Sequence, residues 1–517
     1  MLKSIFNPDL SGKHLTIVLT FVLLLTSFSF ANIIRVPQNV STIQAALDSC
    51  SVGDTVLVSP GTYYENIVWP STLKICLMSE YGCDTTIIDG SGTGSVIELD
   101  SISELSTTVI SGFAIRNGNS SYEGGGIYCN FSSPIIMNNL IDSNYAKFGG
   151  GIGCVNNSNP TIIGNIIRAN NSGTLIYGGG GGIFCNASSP DIDSNIISYN
   201  QGYAGAGIYC KNYSSPTIKN NVISNNSASN SGGGIHCNEE SAPLIIKNSI
   251  LHNYGTEAGG GISCYRSSTP EIRENTIMYN ETDLINGYGG GLDVYLYSLP
   301  HIVKNIIGYN KAAFGGGVSC YGASHPVIDS NCIMNNSGDG VYSTINSNPI
   351  INYNNIFDNS YGSYFGLRNA DLTLTINAKN NWWGDASGPY HPVTNPNGLG
   401  DAVSNYVDYI PYLLDSVNVV SIKYLQTVIP DNFVLYQNFP NPFNPTTNIR
   451  FDVQQSSYIK LIVFDILGKE VATLVSGKFR AGSYEVDWNA SNYPSGVYFY
   501  TLQAGEYIET KKMLLLK

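Results

Sequence analysis

Three tyrosines at one position of a sequence repeat are the first candidates for chemistry. Tyr265, Tyr295 and Tyr321 occupy corresponding places in three successive copies of the repeat. Aromatic faces spaced along a groove suit stacking against sugar rings. A row of surface tyrosines that only protects a sheet is the simpler alternative, because cross-strand aromatic pairs stabilise sheets by themselves. The pattern predicts carbohydrate-binding residues and leaves that alternative open.

Carboxylates form the second group of candidates. Asp191 and Asp193 project from the same face of one predicted strand, and Lys219 lies beside Asp193 on the next. General acid–base catalysis needs carboxyl groups with separated pKa values, which a sequence does not show. A surface salt bridge is the favoured interpretation, so the catalytic residues stay unknown.

Metal chemistry has weaker support. Glu239, Glu240 and Glu257 lie on neighbouring copies and suit Ca²⁺, and Arg266 and Arg273 are the arginines close to them in the sequence. These residues do not share one strand position in consecutive copies. The six histidines are scattered without metal-ligand spacing. We therefore expect no evident cofactor, keep Ca²⁺ as an open alternative, and assign no metal ligands.

A repeat must position these residues. The pattern Pro-x-Ile-x-x-Asn-x-Ile-x-x-Asn occurs nine times, and most copies follow a Gly-Gly-Gly-Ile-x-Cys segment. The copies step by 23 to 30 residues, which fits one turn of a β-solenoid with about three short strands. Stacked turns lie about 4.8 Å apart, so identical residues form ladders of Ile inside and Asn at the corners. The copies begin at Pro134, Pro160, Pro190, Pro216, Pro243, Pro270, Pro300, Pro326 and Pro349.

Seven of the eleven cysteines share the inward position of the Gly-Gly-Gly-Ile-x-Cys segment. Their Cβ atoms would stand about 4.8 Å apart, beyond the usual disulfide range of about 3.5–4.5 Å. We predict that they pack in the core, as Val294 does in one copy, rather than forming disulfides or a metal site. A bridge between Cys76 and Cys83 stays open. The column comprises Cys129, Cys154, Cys185, Cys210, Cys237, Cys264 and Cys320.

The ends of the repeat and one face of it carry further signals. Residues 42–47 predict a short helix that covers the edge of the first turn, before a first strand over residues 53–58. Trp382 and Trp383 predict a hydrophobic lid after the last copy.

The outward residues of the Pro-x-Ile strands are largely apolar, which predicts that loops cover the outer face of these strands.

Composition and charge narrow the partners. The net charge is −13 with no basic stretch, which disfavours nucleic acid. Residues 1–31 predict a signal peptide, because Lys3 and Lys13 precede an apolar run and Ala31 offers a cleavage site. No later segment is apolar enough to span a bilayer, so no transmembrane segment is expected after cleavage.

Residues 32–415 carry a family resemblance in these repeats, in the segment Gly53-Asp54-Thr55 and in Trp382-Trp383-Gly384. They resemble the right-handed parallel β-helix, pectin-lyase-like superfamily, which implies an all-β solenoid. That superfamily holds lyases, hydrolases, esterases and adhesins, so the resemblance does not name an activity. The Gly-His-Gly segment of polygalacturonases is absent, and the calcium set of pectate lyases is not assembled.

Residues 431–517 carry a second resemblance. Alternating strands predict a small immunoglobulin-like β-sandwich after a linker over residues 416–430. The segments around Phe439–Pro445, Leu467–Lys469, Ser495–Tyr500 and Lys511–Met513 are similar to the C-terminal sorting domain of the type IX secretion system. That resemblance implies contact with the secretion machinery and delivery across an outer membrane. The alternative is an accessory domain of the kind found in flagellar hook-assembly proteins.

Three functions stay open. The favoured hypothesis is a non-catalytic protein, secreted or on the outer surface of a diderm bacterium, that binds a polysaccharide or surface glycan. The second is a polysaccharide lyase or glycoside hydrolase of the pectin-lyase-like superfamily, with loops such as residues 170–177 and 280–288 as groove walls. The third is a structural surface protein.

Overall fold

The computed structural model describes most of the chain. The signal peptide predicted over residues 1–31 falls almost wholly outside the described residues, as does most of the predicted linker. The helix predicted at 42–47 is confirmed as Ile43–Asp48, with Thr42 as its N-cap. The Thr42 hydroxyl oxygen accepts a hydrogen bond from the Ala45 amide at 3.2 Å. The described residues are 31–72, 74–102, 108–173, 178–359, 364–416, 422–426, 430–455, 457–479, 481–491 and 493–517.

Three parallel sheets form the solenoid. Twelve turns contribute one short strand to each sheet, and three further strands at the two ends belong to one sheet alone. Sheet C contains the strands of the Ile-x-Cys segments: Ile67–Val68, Ile97–Asp100, Ile127–Asn130, Ile152–Val155, Ile183–Asn186, Ile208–Lys211, Ile235–Cys237, Ile262–Cys264, Leu292–Tyr295, Val318–Tyr321, Val341–Ser343 and Leu367–Asn369. Sheet P contains the strands that follow the repeat prolines and their counterparts: Ile33–Val36, Thr55–Val58, Cys76–Ser79, Val109–Ser111, Ile135–Met137, Thr161–Ile163, Asp191–Asp193, Thr217–Lys219, Leu244–Ile246, Glu271–Arg273, His301–Val303, Val327–Asp329, Ile350–Asn352, Ile376–Asn377 and Val407–Asp408. Sheet N contains the strands that follow the first repeat asparagine and their counterparts: Gly61–Tyr64, Thr86–Asp89, Ala114–Arg116, Leu140–Asp142, Ile166–Arg168, Ile196–Ser198, Val222–Ser224, Ser249–Leu251, Thr276–Met278, Ile306–Gly308, Cys332–Met334 and Asn355–Phe357.

Short strands also pair between sheets N and C. Two of them, Asn119–Glu123 and Tyr145–Phe148, pair with each other. Four more form a second small sheet: Gln201–Gly202, Ser227–Ala228, Tyr254–Gly255 and Glu281–Thr282. This part of each turn carries the chain from sheet N back to sheet C.

Asparagine ladders hold the corners, as the repeat predicts. Asn248 donates from Nδ2 to Oδ1 of Asn275 at 3.0 Å and to the backbone oxygen of Ile218 at 2.8 Å. Its own Oδ1 accepts from the backbone and side-chain nitrogens of Asn221. A second ladder runs along the other end of sheet N and finishes at Asn359, whose Nδ2 donates to the Asp401 carboxylate. Each buried amide therefore satisfies backbone groups of the preceding turn and bonds to the asparagine side chain of the next one.

The interior is apolar along the whole solenoid. Isoleucines of all three sheets and the cysteine column are fully buried in one continuous core. All the cysteines are free thiols, including Cys76 and Cys83, so the bridge left open between these two is not formed. Trp383 is fully buried at the end of this core, which agrees with the predicted lid, and Trp382 contacts Phe357.

Two antiparallel sheets follow and share one core. A strand from the predicted linker, Ile422–Gln426, pairs with Gly482–Asn489, so this segment belongs to the sandwich. The strand Glu470–Phe479 was not predicted. The first sheet comprises Ile422–Gln426, Gly482–Asn489, Thr446–Val453 and Val434–Leu435, and the second comprises Glu470–Phe479, Ser457–Phe464, Gly496–Ala504 and Tyr507–Leu515.

Candidate functional site

The outer face of sheet C carries a column of side chains that the solenoid buries. These residues lie directly in register on successive turns, and each is less than a tenth exposed. The first glycine of each Gly-rich segment folds over the column. At Gly259, where φ is +58°, an added Cβ would stand 2.7 Å from Ser263 Cβ. We call these residues the floor column: Phe184, Tyr209, His236, Ser263, Asp293, Ser319 and Tyr342.

Aromatic rings from the floor column and from its two sides form one chain of contacts. The closest pair is Tyr295 and Tyr321, with ring centroids 4.1 Å apart and planes 15° apart. Tyr288 reaches in from the glycine side and stacks on Tyr321 at 4.6 Å. We call the ten rings the aromatic rib: Phe148, Phe184, Tyr209, His236, Tyr265, Tyr295, Tyr321, Tyr288, Phe314 and Tyr342.

The three tyrosines predicted from the repeat lie together in the rib. The ring centroids of Tyr265 and Tyr295 are 5.4 Å apart. The Arg266 guanidinium lies over the Tyr265 ring, 5.1 Å from its centroid. All three side chains are partly exposed. Because neighbouring rings lie against their faces, ring edges and hydroxyl groups are the parts that remain for a ligand. Their role in carbohydrate binding stays a prediction.

Asp293 is a buried carboxyl in the floor column, only 1% exposed. Burial raises the pKa of Asp293 to about 8, although a hydrogen bond from the Ser319 hydroxyl lowers it. The group is therefore protonated at neutral pH and can donate a proton. The repeat placed Asp293 on the outer face, but burial was not readable from the sequence.

His236 lies on the strand Ile235–Cys237, and Asn238 directly follows that strand. Burial lowers the pKa of His236 to about 3, so the imidazole is neutral. Asn238 donates from Nδ2 to the Tyr209 hydroxyl at 2.9 Å. His236 Nδ1 and Asn238 Oδ1 are buried and have no hydrogen-bond partner.

A second buried carboxyl lies further along the solenoid. Asp339 is 1% exposed and accepts a hydrogen bond from the Phe365 amide at 2.9 Å. The Arg368 guanidinium nitrogen Nε lies 3.3 Å from the same carboxylate oxygen. Burial raises the pKa of Asp339 to about 6, and Arg368 opposes the rise. Sequence reasoning did not single out this ion pair.

Three of the acidic residues considered for catalysis or calcium form salt bridges: Asp191, Asp193 and Glu239. Lys219 binds Asp191 at 2.7 Å and lies 3.9 Å from Asp193, which confirms the predicted salt bridge. Glu239 pairs with Lys211 at 3.7 Å and with Arg266 at 3.3 Å. Within the described residues, no three His, Cys, Asp or Glu side chains are grouped to hold a metal ion.

The outer face of sheet P differs from its prediction. Loops were expected to cover it, but Val327 is 37% exposed and Ile350 is 44% exposed. Glu271 and His301 on the same face are also exposed. The glycine-rich segments fold over sheet C instead, which is why the buried polar groups lie there.

Comparison with known families gives the same two parts. Residues 178–313 and 281–382 match the family model described as right handed beta helix region. Residues 437–516 match the model described as secretion system C-terminal sorting domain. The protein carries a right-handed parallel β-helix and a type IX secretion sorting domain. No curated protein and no solved structure matches the chain.

The sorting domain makes this β-helix protein a secreted or cell-surface protein that interacts with the type IX secretion machinery. Inside the sandwich, the Tyr500 hydroxyl accepts from the Asn438 amide at 2.8 Å and donates to the Tyr436 backbone oxygen at 2.9 Å. These bonds fix the segment that leads into Phe439–Pro445. In the described part of the chain, no helix is long and apolar enough to cross a membrane.

Proposed function

We propose that the β-helix is a non-catalytic glycan-binding protein that the type IX system delivers to the outer surface of a diderm bacterium. The observation that supports this proposal is the aromatic rib. It runs over seven steps from turn to turn, about 35 Å at about 4.8 Å per turn. Among its members, the partly exposed Tyr265, Tyr295 and Tyr321 lie on three successive turns, about 10 Å from first to last. Such a row suits a polymer with repeating units better than a single small molecule.

The tyrosines of the rib suit such a ligand. A tyrosine side chain combines a rigid apolar ring with a hydroxyl group, and fixing it in place loses little conformational entropy. In Tyr265, Tyr295 and Tyr321 the edges and hydroxyl groups are the available parts. Sugar rings offer both C–H groups and hydroxyl groups to contacts of this kind.

The full chain would be tested against plant, algal and host polysaccharides, with and without Ca²⁺. We expect binding without new reducing or unsaturated ends. Changing Tyr265, Tyr295 and Tyr321 together to Ala should abolish affinity while the protein stays folded. The matched control changes Tyr279 and Tyr309, which stack at 5.2 Å on another corner of the solenoid. Unchanged affinity in the triple variant, or equal loss in the control, would refute the rib as the binding surface.

A polysaccharide lyase or glycoside hydrolase is the second candidate, and Asp293 is the observation that favours it. A carboxyl with a pKa of about 8 suits a general acid at neutral pH. Its burial to 1% exposure favours a structural role. New chain ends that disappear in Asp293→Asn would replace the binding proposal by a catalytic one. Neither binding nor products on a folded sample would favour a structural surface protein.

Delivery is tested separately. Removing residues 437–516 should leave the β-helix in the periplasm of its bacterial host, whereas the full chain reaches the surface or the medium. Cell fractionation with antibodies against the solenoid measures this. Surface delivery of the truncated chain would contradict a sorting role for this domain in the protein.

A further inference from the structure

Two buried polar atoms without a hydrogen-bond partner belong to residues on one face of the chain segment in the middle of the aromatic rib. His236 and Asn238 are two residues apart on an extended segment, so their side chains share one face. They are only 4% and 6% exposed, and His236 Nδ1 and Asn238 Oδ1 have no hydrogen-bond partner. The bond from Asn238 Nδ2 to the Tyr209 hydroxyl orients the amide and leaves Oδ1 as its unused atom. Buried unpaired groups are costly, so two of them on one face call for a partner.

The surroundings show how a partner would reach these atoms. The next turn places Ser263 in register with His236, where the two preceding turns carry Phe184 and Tyr209. Tyr265 is the partly exposed ring against His236, with ring centroids 6.1 Å apart. Access to the two atoms would require the Tyr265 side chain and the segment at Gly232, which lies against His236, to move aside.

The charged residues near His236 and Asn238 indicate which kind of ligand these two residues suit. Lys211, one turn before Asn238, and Arg266, which follows Tyr265, both pair with Glu239. His236 is neutral because it is buried. His236 and Asn238 therefore offer neutral hydrogen-bonding atoms to a ligand. The two nearby cations, Lys211 and Arg266, already pair with the Glu239 carboxylate. A uronate carboxylate would have to compete with Glu239 for them.

We propose that His236 and Asn238 form a subsite for the hydroxyl groups of an uncharged sugar. A hydroxyl group donates to Asn238 Oδ1, and because it both donates and accepts, it suits either tautomer of His236. This inference rests on the proposed glycan binding and adds the subsite and the class of sugar. It predicts that neutral polysaccharides bind and that polyuronates do not.

The test uses the full chain with arabinoxylan and laminarin as neutral probes and polygalacturonate as the acidic probe. His236→Phe keeps the ring contacts with Tyr209 and Tyr265 but removes both nitrogens. We expect at least a tenfold loss of affinity for the bound neutral probe and a melting temperature equal to or above wild type. Asn238→Ala gives an independent second variant. The control is His252→Phe, because His252 stacks on Tyr279 at 5.0 Å away from the rib.

Each outcome separates the subsite from the wider proposal. Loss of binding in the triple tyrosine variant with unchanged affinity in folded His236→Phe and Asn238→Ala overturns the subsite and keeps the glycan-binding rib. Polygalacturonate binding as tight as that of the neutral probes overturns the class of sugar. No binding of any polysaccharide by the wild-type chain overturns both proposals together.

Discussion

The Ser319 hydroxyl donates a hydrogen bond to Oδ1 of Asp293 at 2.6 Å, and both side chains are buried on the outer face of sheet C. The bond favours the charged carboxylate, whereas burial disfavours it, and burial is the larger effect. Asp293 is consequently a neutral acid at pH 7, which is how a carboxyl without a cation partner becomes tolerable inside a protein. This pair gives the solenoid a stability that depends on pH.

The first prediction concerns that pH dependence. The pKa of Asp293 is raised in the fold, so its contribution to stability is full below about pH 4 and is lost as pH rises toward 8. His236 acts oppositely, because its lowered pKa removes stability as pH falls from about 6.5 to 3. Of these two groups, only Asp293 changes the stability between pH 6.5 and 8. The free energy of unfolding should fall there by up to about 1.4 kcal/mol per pH unit.

Urea unfolding of wild type and Asp293→Asn between pH 6.5 and 8 measures this effect. The variant should lose the slope and be the more stable protein at pH 8. Ser319→Ala serves as a control, because it should shift the pH dependence of stability in a known direction. It removes the bond that favours the carboxylate, so the loss of stability should move to higher pH. Equal slopes in wild type and Asp293→Asn would show that other groups control the pH dependence.

The second prediction concerns the asparagine ladders. Asn248→Ala removes the three bonds that its amide nitrogen donates and the two that its oxygen accepts. The backbone groups left behind are buried, so we expect a loss of about 3–5 kcal/mol. Ser227→Ala, on an exposed side chain one turn earlier, should change stability by less than about 0.5 kcal/mol. Chemical denaturation compares the two, and a loss below about 1 kcal/mol at Asn248 would mean that water replaces the ladder.

The ladders were predictable because the repeat fixes the register of each turn. Once Pro270, Ile272 and Asn275 correspond to residues of the next copy, parallel stacking determines which side chains point inward. The buried cysteine column and the position of Lys219 beside Asp193 follow from the same rule, whereas the shorter contact of Lys219 with Asp191 is diagonal to the register. The periodicity of the sequence therefore predicts which residues of each strand form the core and which face outward.

Burial on the outside of the solenoid was not predictable. His236 and Asp293 are outward residues, and their burial depends on how the glycine-rich segments fold over sheet C. The strand Ile422–Gln426 lies outside the repeat. The strand with which it pairs, Gly482–Asn489, is far away in the sequence. The strand Glu470–Phe479 contains a Ser-Gly pair that resembles a turn. Contacts without periodicity leave no pattern from which to infer them.

The third prediction concerns the cysteine column. Cys237 is fully buried, and the equivalent position on a later turn is Val294. Cys237→Val should therefore change stability by less than about 1.5 kcal/mol, while Cys237→Ser should cost about 1–3 kcal/mol for a buried hydroxyl. The thiols of the native column should not react with a thiol reagent, and all eleven cysteines should react after unfolding under non-reducing conditions. A smaller number after unfolding would reveal disulfides.

The fourth prediction separates close packing from backbone strain at Gly259, which covers the floor column, with Gly53 as an open position for comparison. Both Gly259 and Gly53 have positive φ, at +58° and +92°. A Cβ at Gly259 would lie 2.6 Å from the Ile262 backbone oxygen, whereas nothing lies within 4 Å of one at Gly53. Gly53→Ala should cost only the conformational strain, about 1 kcal/mol, and Gly259→Ala about 1–3 kcal/mol more. Thermal unfolding measures the difference. Equal losses would mean that the segment over Ser263 can move outward, and the same freedom would then make the subsite beside Tyr265 easier to open.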